Sequence, residues 1–327
     1  MNANIAIQPY YPDIPLCNRA KLDTGKECNY NCYFCYYQGH LDEQDTYSDI
    51  TSRADILYDL GIREIDLSGG ESSIHKDWFK ILNYCNKFDN ISCLSNGSMF
   101  KDFAFLEKSK KYGLSEILFS IHGHNEEVHD KIVGKKGAFN DIMSSITNAN
   151  KLGILVRINC TVTNTNIKDI EKYAYLINKL KPYQINFLPL NYWNAANAMK
   201  KQDYTTLSKG IQLAIDTIYP EIEINVRYIP FCYMIGYEKY VVNTQQHIYD
   251  KKDWNICAYS YQNLDKYKEI SKSQMMRWYY KPIKCTSCKF FHICDGIEKK
   301  YEDIADKVLN PIIGKKVTNI MEYRQNI

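Results

Sequence analysis

Short apolar runs that end in glycine or polar residues alternate along this chain with longer stretches whose apolar positions recur at helical spacing. "EIDLSGGE" (64–71), "NISCLSNG" (90–97), "EILFSIHG" (116–123), "ILVRINCTVT" and "YQINFLPL" read as strands. Between them, "DWFKILNYCNKF" places Trp78, Ile81, Leu82 and Cys85 on one helical face, and "AFNDIMSSITNANKLG" does the same with Phe139, Ile142, Met143 and Ile146, with Gly153 as the C-cap. "DFAFLEKSKKYG" and "IKDIEKYAYLINKL" complete the helices, and "RAKLDTG" supplies an opening strand. Such alternation predicts a parallel sheet built of βα units. About six units fit before residue 200, which gives an α/β fold with a partial (β/α)6 barrel. After "SKGIQLAIDTIYP" the pattern breaks; "EIEINVRYIPFC" reads as one more strand, and the remainder is mixed and cysteine-bearing. A boundary near Pro220 divides the chain into 1–219 and 220–327.

Composition narrows the function. A chain of 327 residues buries roughly 75% of its unfolded surface and needs no disulfide staples. Its net charge of +3 argues against a nucleic-acid partner. The N-terminus has no basic and apolar signal pattern, and no run of about 18 apolar residues predicts a membrane span, so a cytoplasmic location is expected. In that reducing setting the 12 cysteines read as metal ligands or catalytic thiols before disulfides. The 28 tyrosines go with abundant Lys, Ile and Asn and carry no function by themselves.

The stretch "KECNYNCYFCYYQGH" sets Cys28, Cys32 and Cys35 at a C-x3-C-x2-C spacing among aromatic residues. Structural zinc wants four protein ligands, and here only His40, at an unusual spacing, could be the fourth. Three thiolates with one open position fit a [4Fe–4S] cluster whose last iron takes an exogenous ligand. The stretch resembles the signature of radical S-adenosylmethionine (radical SAM) enzymes, with Phe34 as the aromatic before the third cysteine. The resemblance implies a TIM-type partial barrel whose reduced cluster cleaves S-adenosylmethionine (SAM) to methionine and a 5′-deoxyadenosyl radical, which abstracts hydrogen from an organic substrate.

Further matches follow at predicted strand ends. Gly69, Gly70 and Glu71 resemble the Gly-Gly-Glu that receives the methionine ammonium; Ser72-Ser73 stands where the motif commonly continues Pro-Thr. "SNG", with Asn96, resembles the family's Thr-Asn-Gly. Ser120 and His122, then Asn159, fall where relatives reach the ribose or the methionine carboxylate, and Leu188 and Leu190 where they bracket adenine. A buried Ser or Asn that satisfies backbone groups is the competing reading of each polar position.

"KCTSCKFFHICDG" adds Cys285, Cys288 and Cys294. A zinc ribbon could use them with upstream cysteines. Their C-x2-C-x5-C spacing resembles the C-terminal SPASM and Twitch extensions of radical SAM enzymes, which implies auxiliary iron–sulfur chemistry. Glu298 occupies the place of the next SPASM cysteine, so one auxiliary [4Fe–4S] cluster is expected, with Cys257 the favoured fourth ligand and Cys232 the reserve. Cys17, Cys85, Cys93 and Cys160 read as small buried hydrophobes.

His122, His124 and His129, with Glu126, Glu127 and Asp130, resemble the loop and helix start after the fourth strand in relatives rather than a metal site. Gly134-x2-Gly137 lacks the Lys-Ser/Thr of a phosphate loop. The Lys-rich tail reads as a solvated face. Candidates for acid–base chemistry are His122, Tyr192 and Asp253. The expected substrate is a small molecule undergoing oxidation, epimerisation or decarboxylation, with a ribosomal peptide as the alternative. Only 27 residues precede Cys28, which counts against a fused peptide-recognition domain. A flavodoxin or ferredoxin is the expected reductant. A zinc-stabilised binding protein with a degenerate barrel is the non-enzyme alternative.

Overall fold

The strand-forming segments assemble into a single parallel sheet. The protein is represented by a computed structural model that describes residues 18–192, 199–243, 256–258, 279–319 and 322. Six strands alternate with helices in the order expected: β1 (Arg19–Asp23), α1 (Tyr47–Asp59), β2 (Glu64–Ser68), α2 (Trp78–Cys85), β3 (Asn90–Ser95), α3 (Phe103–Lys111), β4 (Leu114–Ser120), α4 (Glu126–Val133), α5 (Ala138–Leu152), β5 (Leu155–Val162), α6 (Ile170–Leu180) and β6 (Gln184–Pro189). Each strand pairs in parallel with the next, and the sheet curls into a half-barrel.

The sheet runs on past residue 219. Helix α7 (Tyr204–Thr217) leads to β7 (Glu223–Arg227), which pairs with β6, and β8 (Val241–Val242) pairs with β7. On the opposite edge β9 (Ile256–Ala258) pairs with β1, with Lys21 beside Cys257. The segment after Pro220 therefore supplies three strands of the same sheet. Farther on, β10 (Tyr279–Tyr280) and β11 (Ile297–Glu298) pair antiparallel and bracket the second cysteine cluster.

Strand alternation sorts the two faces. Ala20, Leu22, Ile65, Leu67, Ile91, Cys93, Ile117, Phe119, Ile158, Cys160, Ile185 and Phe187 point outward and are buried against the helices. The inward positions are mostly polar, with Leu94, Leu118 and Leu188 among them. At the start of the strands Arg19 bonds Asp66 at 2.8 Å, Glu64 at 2.7 Å and Glu116 at 3.0 Å, and Arg157 meets Glu116 at 2.5 Å. This buried network closes the floor of the lumen. Losing one member would strand the others' charges away from water, which costs far more than an exposed pair contributes.

Local signals fix the helix ends. Thr46 and Asp49 form a reciprocal cap on α1, Asp102 caps α3, Asn125 caps α4, and Asp203 caps α7. Among the described residues no helix is long and apolar enough to cross a membrane.

Candidate functional site

The first cysteine loop lies over the C-terminal ends of β1 to β4, where a barrel of this type places its chemistry. Backbone contacts hold it on three sides. Cys28 N donates to Leu41 O at 2.9 Å, while Asn31 N and Tyr33 N donate to Val133 O and Ile132 O at the end of α4. On the third side Gly70 N reaches Gly25 O at 2.9 Å and Glu71 N reaches Glu27 O at 2.8 Å. The two glycines permit this approach. A Cβ on Gly70 would lie 2.0 Å from Glu27 O, and one on Gly69, whose φ is +127°, would lie 2.0 Å from Gly25 O.

Glu71 is fixed by four donors: Ser95 Oγ at 2.9 Å, the Asn96 amide at 2.6 Å, Ser73 Oγ at 2.5 Å and Ser73 N at 3.4 Å. Burial nevertheless raises its affinity for a proton. Asn96 turns its Nδ2 to Asn29 Oδ1 at 2.9 Å and to Cys28 Sγ at 3.9 Å. Burial pushes the Cys28 thiol up to about 12, with the Glu71 carboxylate adding to the effect. Cys32 and Cys35 are raised by burial too, Cys32 also by its neighbouring thiols. Thiols held protonated among negative neighbours lose that penalty when cationic iron replaces the protons, so the donor set fits a cluster.

Inside the lumen the register places Ser120 beside Asn159 and Thr161 beside Leu188. Ser120 and Asn159 share the inward face with the floor, Ser120 two layers above Glu116 and Asn159 one layer above Arg157. The Oδ1 of Asn159 is buried, and among the described residues it has no hydrogen-bond partner. An acceptor of this kind is suited to a ligand hydroxyl or ammonium. Phe34 meets His122 edge-on, with centroids 5.1 Å apart, and so ties the cysteine loop to β4.

The sequence candidates for acid–base work fall in other settings. His122 Nδ1 accepts from Thr161 N at 3.1 Å, and burial pushes its pKa down to about 3. With Nδ1 accepting, the proton of the neutral ring sits on Nε2. The backbone N of His122 in turn donates to His129 Nδ1 at 3.1 Å. Tyr192 Oη meets Tyr301 Oη at 2.9 Å and accepts from Gln202 N at 2.6 Å, so it bolts the C-terminal segment to the end of β6. Asp253 and Cys17 lie outside the described residues. Cys85, Cys93 and Cys160 are buried in the outer core.

A second cavity is lined by Cys232, Cys285, Cys288 and Cys294 together with Lys281, Phe231 and Phe291. It draws in Cys232, the reserve, by way of the turn after β7, whereas Cys257 stands on β9 against β1. Burial and mutual proximity push Cys285 up to about 12 and Cys232 up to about 11. Cys294 is also pushed up to about 12 by burial, against the pull of Lys281. Backbone amides already point at the sulfurs: Gly296 N to Cys294 Sγ at 3.3 Å and Ile312 N to Cys288 Sγ at 3.4 Å. Four thiols lining one cavity suit a cubane with all its irons held by the protein, and N–H donors to sulfur tune such a cluster. Among the described residues no three His, Cys, Asp or Glu side chains meet where a single ion would sit; a cubane's thiolates bind separate irons and stand farther apart.

Lys281 and the charged floor were missed in the sequence. The floor was readable as charged or polar residues at every second strand position: Arg19, Lys21 and Asp23; Glu64, Asp66 and Ser68; Arg157, Asn159 and Thr161. Lys281 had no such signal.

Residues 23–177 match the Radical SAM superfamily. The chain carries a radical SAM domain over that span. Radical SAM proteins use a [4Fe–4S] cluster and SAM, and the cysteine loop lies within the matched span. Among curated relatives, the antilisterial bacteriocin subtilosin biosynthesis protein AlbA of Bacillus subtilis is 30% identical over 182 residues, 54% of this chain and 40% of AlbA. A probable GTP 3′,8-cyclase of Saccharolobus islandicus is 31% identical over 173 residues, 50% of this chain and 54% of the cyclase. The chain thus spans about half the length of the curated relatives it matches. Among solved structures, Streptococcus suis SuiB bound to precursor peptide SuiA has a TM-score of 0.63 at 16% identity, over 87% of this chain and 72% of SuiB, a likeness of fold.

Proposed function

We propose that this radical SAM enzyme cleaves SAM reductively and uses the resulting radical to abstract hydrogen from an organic substrate. The observation that carries the reading is the loop of Cys28, Cys32 and Cys35, seated over the strand ends against Glu71 and Asn96. With cluster and SAM bound, one-electron reduction breaks a carbon–sulfur bond and yields methionine and the 5′-deoxyadenosyl radical. The chain's own part is to bind, orient and exclude water. Cys28, Cys32 and Cys35 hold three irons. The backbone at Gly69–Glu71 receives the methionine ammonium, Ser120 and Asn159 bond the polar groups of SAM, and Leu188 covers the adenine. Phe34 and Tyr30 screen the site from solvent, and a dry site strengthens each of these contacts.

Residues 1–219 carry SAM cleavage in this reading. Residues 220–327 carry one auxiliary [4Fe–4S] cluster on Cys232, Cys285, Cys288 and Cys294. As substrate we favour a peptide, supported by AlbA's role in bacteriocin biosynthesis and by the peptide bound to SuiB. A small molecule is the second reading, favoured by the match to a cyclase named for a nucleotide.

Anaerobically reconstituted protein with dithionite and SAM is expected to release 5′-deoxyadenosine, and Cys28→Ala to abolish it. Wild-type protein that carries zinc without iron, or that makes no 5′-deoxyadenosine, sinks the proposal. Candidate precursor peptides, tested for capture by the reconstituted protein and for a mass change on turnover, separate the two substrates.

A further inference from the structure

Lys281 follows β10 and is 4% exposed. Its Nζ donates to Phe291 O at 2.8 Å and to Cys294 O at 2.9 Å, and lies 4.3 Å from the centroid of the Phe291 ring. The same side chain lines the cavity of the four cysteines. Both its carbonyl partners belong to the cysteine loop, so its charge is held at the rim of the cavity by the ligand segment itself. A cation removed from water is held at a cost, and that cost is offset where negative charge is concentrated beside it.

A cubane on four thiolates carries net negative charge, and more once reduced. A fixed cation at low dielectric favours the more negative state and raises the reduction potential. The amides of Gly296 and Ile312 act on the sulfurs in the same direction. At the first cysteine loop the polarity is reversed, because the fixed carboxylate beside Cys28 is Glu71.

We propose that Lys281 sets the potential of the auxiliary cluster, its buried ammonium making that centre the readier electron acceptor of the two. Lys281 is a positioning residue for charge and touches no substrate. The inference rests on the four-cysteine reading given above.

The test uses the full chain carrying Cys28→Ala, Cys32→Ala and Cys35→Ala, so that only the auxiliary cluster assembles. Iron is counted, and a potentiometric titration is followed by electron paramagnetic resonance. Lys281→Gln keeps donors for the two carbonyls and removes the charge; Lys281→Arg keeps the charge. Lys316→Gln removes an exposed lysine that bonds Cys288 O at 2.8 Å and serves as a solvent-screened comparison. Lys281→Gln is expected to make reduction at least about tenfold less favourable, a fall of about 59 mV for one electron. Lys281→Arg should stay close to the parent, and Lys316→Gln should move it far less than Lys281→Gln. An unchanged potential in Lys281→Gln overturns the inference, as does an equal fall in Lys281→Arg. Loss of auxiliary iron in both Lys281 variants makes the residue an assembly requirement and also overturns it. A parent protein without iron brings down the four-cysteine reading itself, and the role of Lys281 with it.

Discussion

His122 combines two properties that sequence alone did not separate: it stands at a strand end beside the site, and its ring is buried with Nδ1 occupied. A backbone amide fills Nδ1, Phe34 covers the ring, and burial holds the imidazole neutral. The unfolded chain takes up a proton near pH 6.5, the folded one only at about 3. Between those values the unfolded state binds more protons, so stability falls as pH drops. From pH 8 to pH 5 this one residue should cost about 2 kcal/mol. Urea unfolding of the metal-free protein at the two pH values checks this. His122→Asn should flatten the pH dependence, and an unaltered slope would show that the ring is not the titrating group.

At the scale of elements, the βα alternation was legible because the strands are long enough to alternate and the helices long enough to show a stripe, as with Trp78, Ile81, Leu82 and Cys85. The lumen positions of Ser120, Asn159 and Leu188 follow from the same alternation. The last strands were not legible. A two-residue β8 and a three-residue β9 are too short to show a period, and only their pairing with β7 and β1 reveals them. The junction of β2 with the cysteine loop gives a sharp prediction. Gly70→Ala puts a methyl into the Glu27 carbonyl and should cost about 1–3 kcal/mol of local strain. Circular dichroism should stay near wild type while iron on the first loop falls. Full retention of that iron would mean that the loop is not held by this approach.

Across the whole molecule, the auxiliary cysteines show what separation along the chain conceals. Cys257 is nearer in sequence to Cys285 than Cys232 is, but β9 carries Cys257 to the edge beside β1 while the turn after β7 brings Cys232 into the cavity. Nothing in the spacing distinguishes the two; the cavity lining favours Cys232 in the reading proposed above. Cys232→Ala should therefore lose the auxiliary iron, about four atoms per chain, while Cys257→Ala keeps it. Iron and sulfide analysis of the two variants decides between them, and the reverse result would move the fourth ligand to β9. Tyr192 shows the same effect: its hydroxyl partner, Tyr301, stands more than a hundred residues later, so the contact is invisible in the local sequence.

The pairing of β9 with β1 also bears on how the chain is made. Synthesis proceeds from the amino end, so the hydrogen-bonding edge of β1 must wait on the ribosome for residues 256–258 to emerge. During that interval a nascent sheet that grows to eight strands offers an open side to any neighbouring polypeptide. Slower translation beyond β6 would prolong that exposure, and holdase chaperones would find their target there rather than at the cysteines.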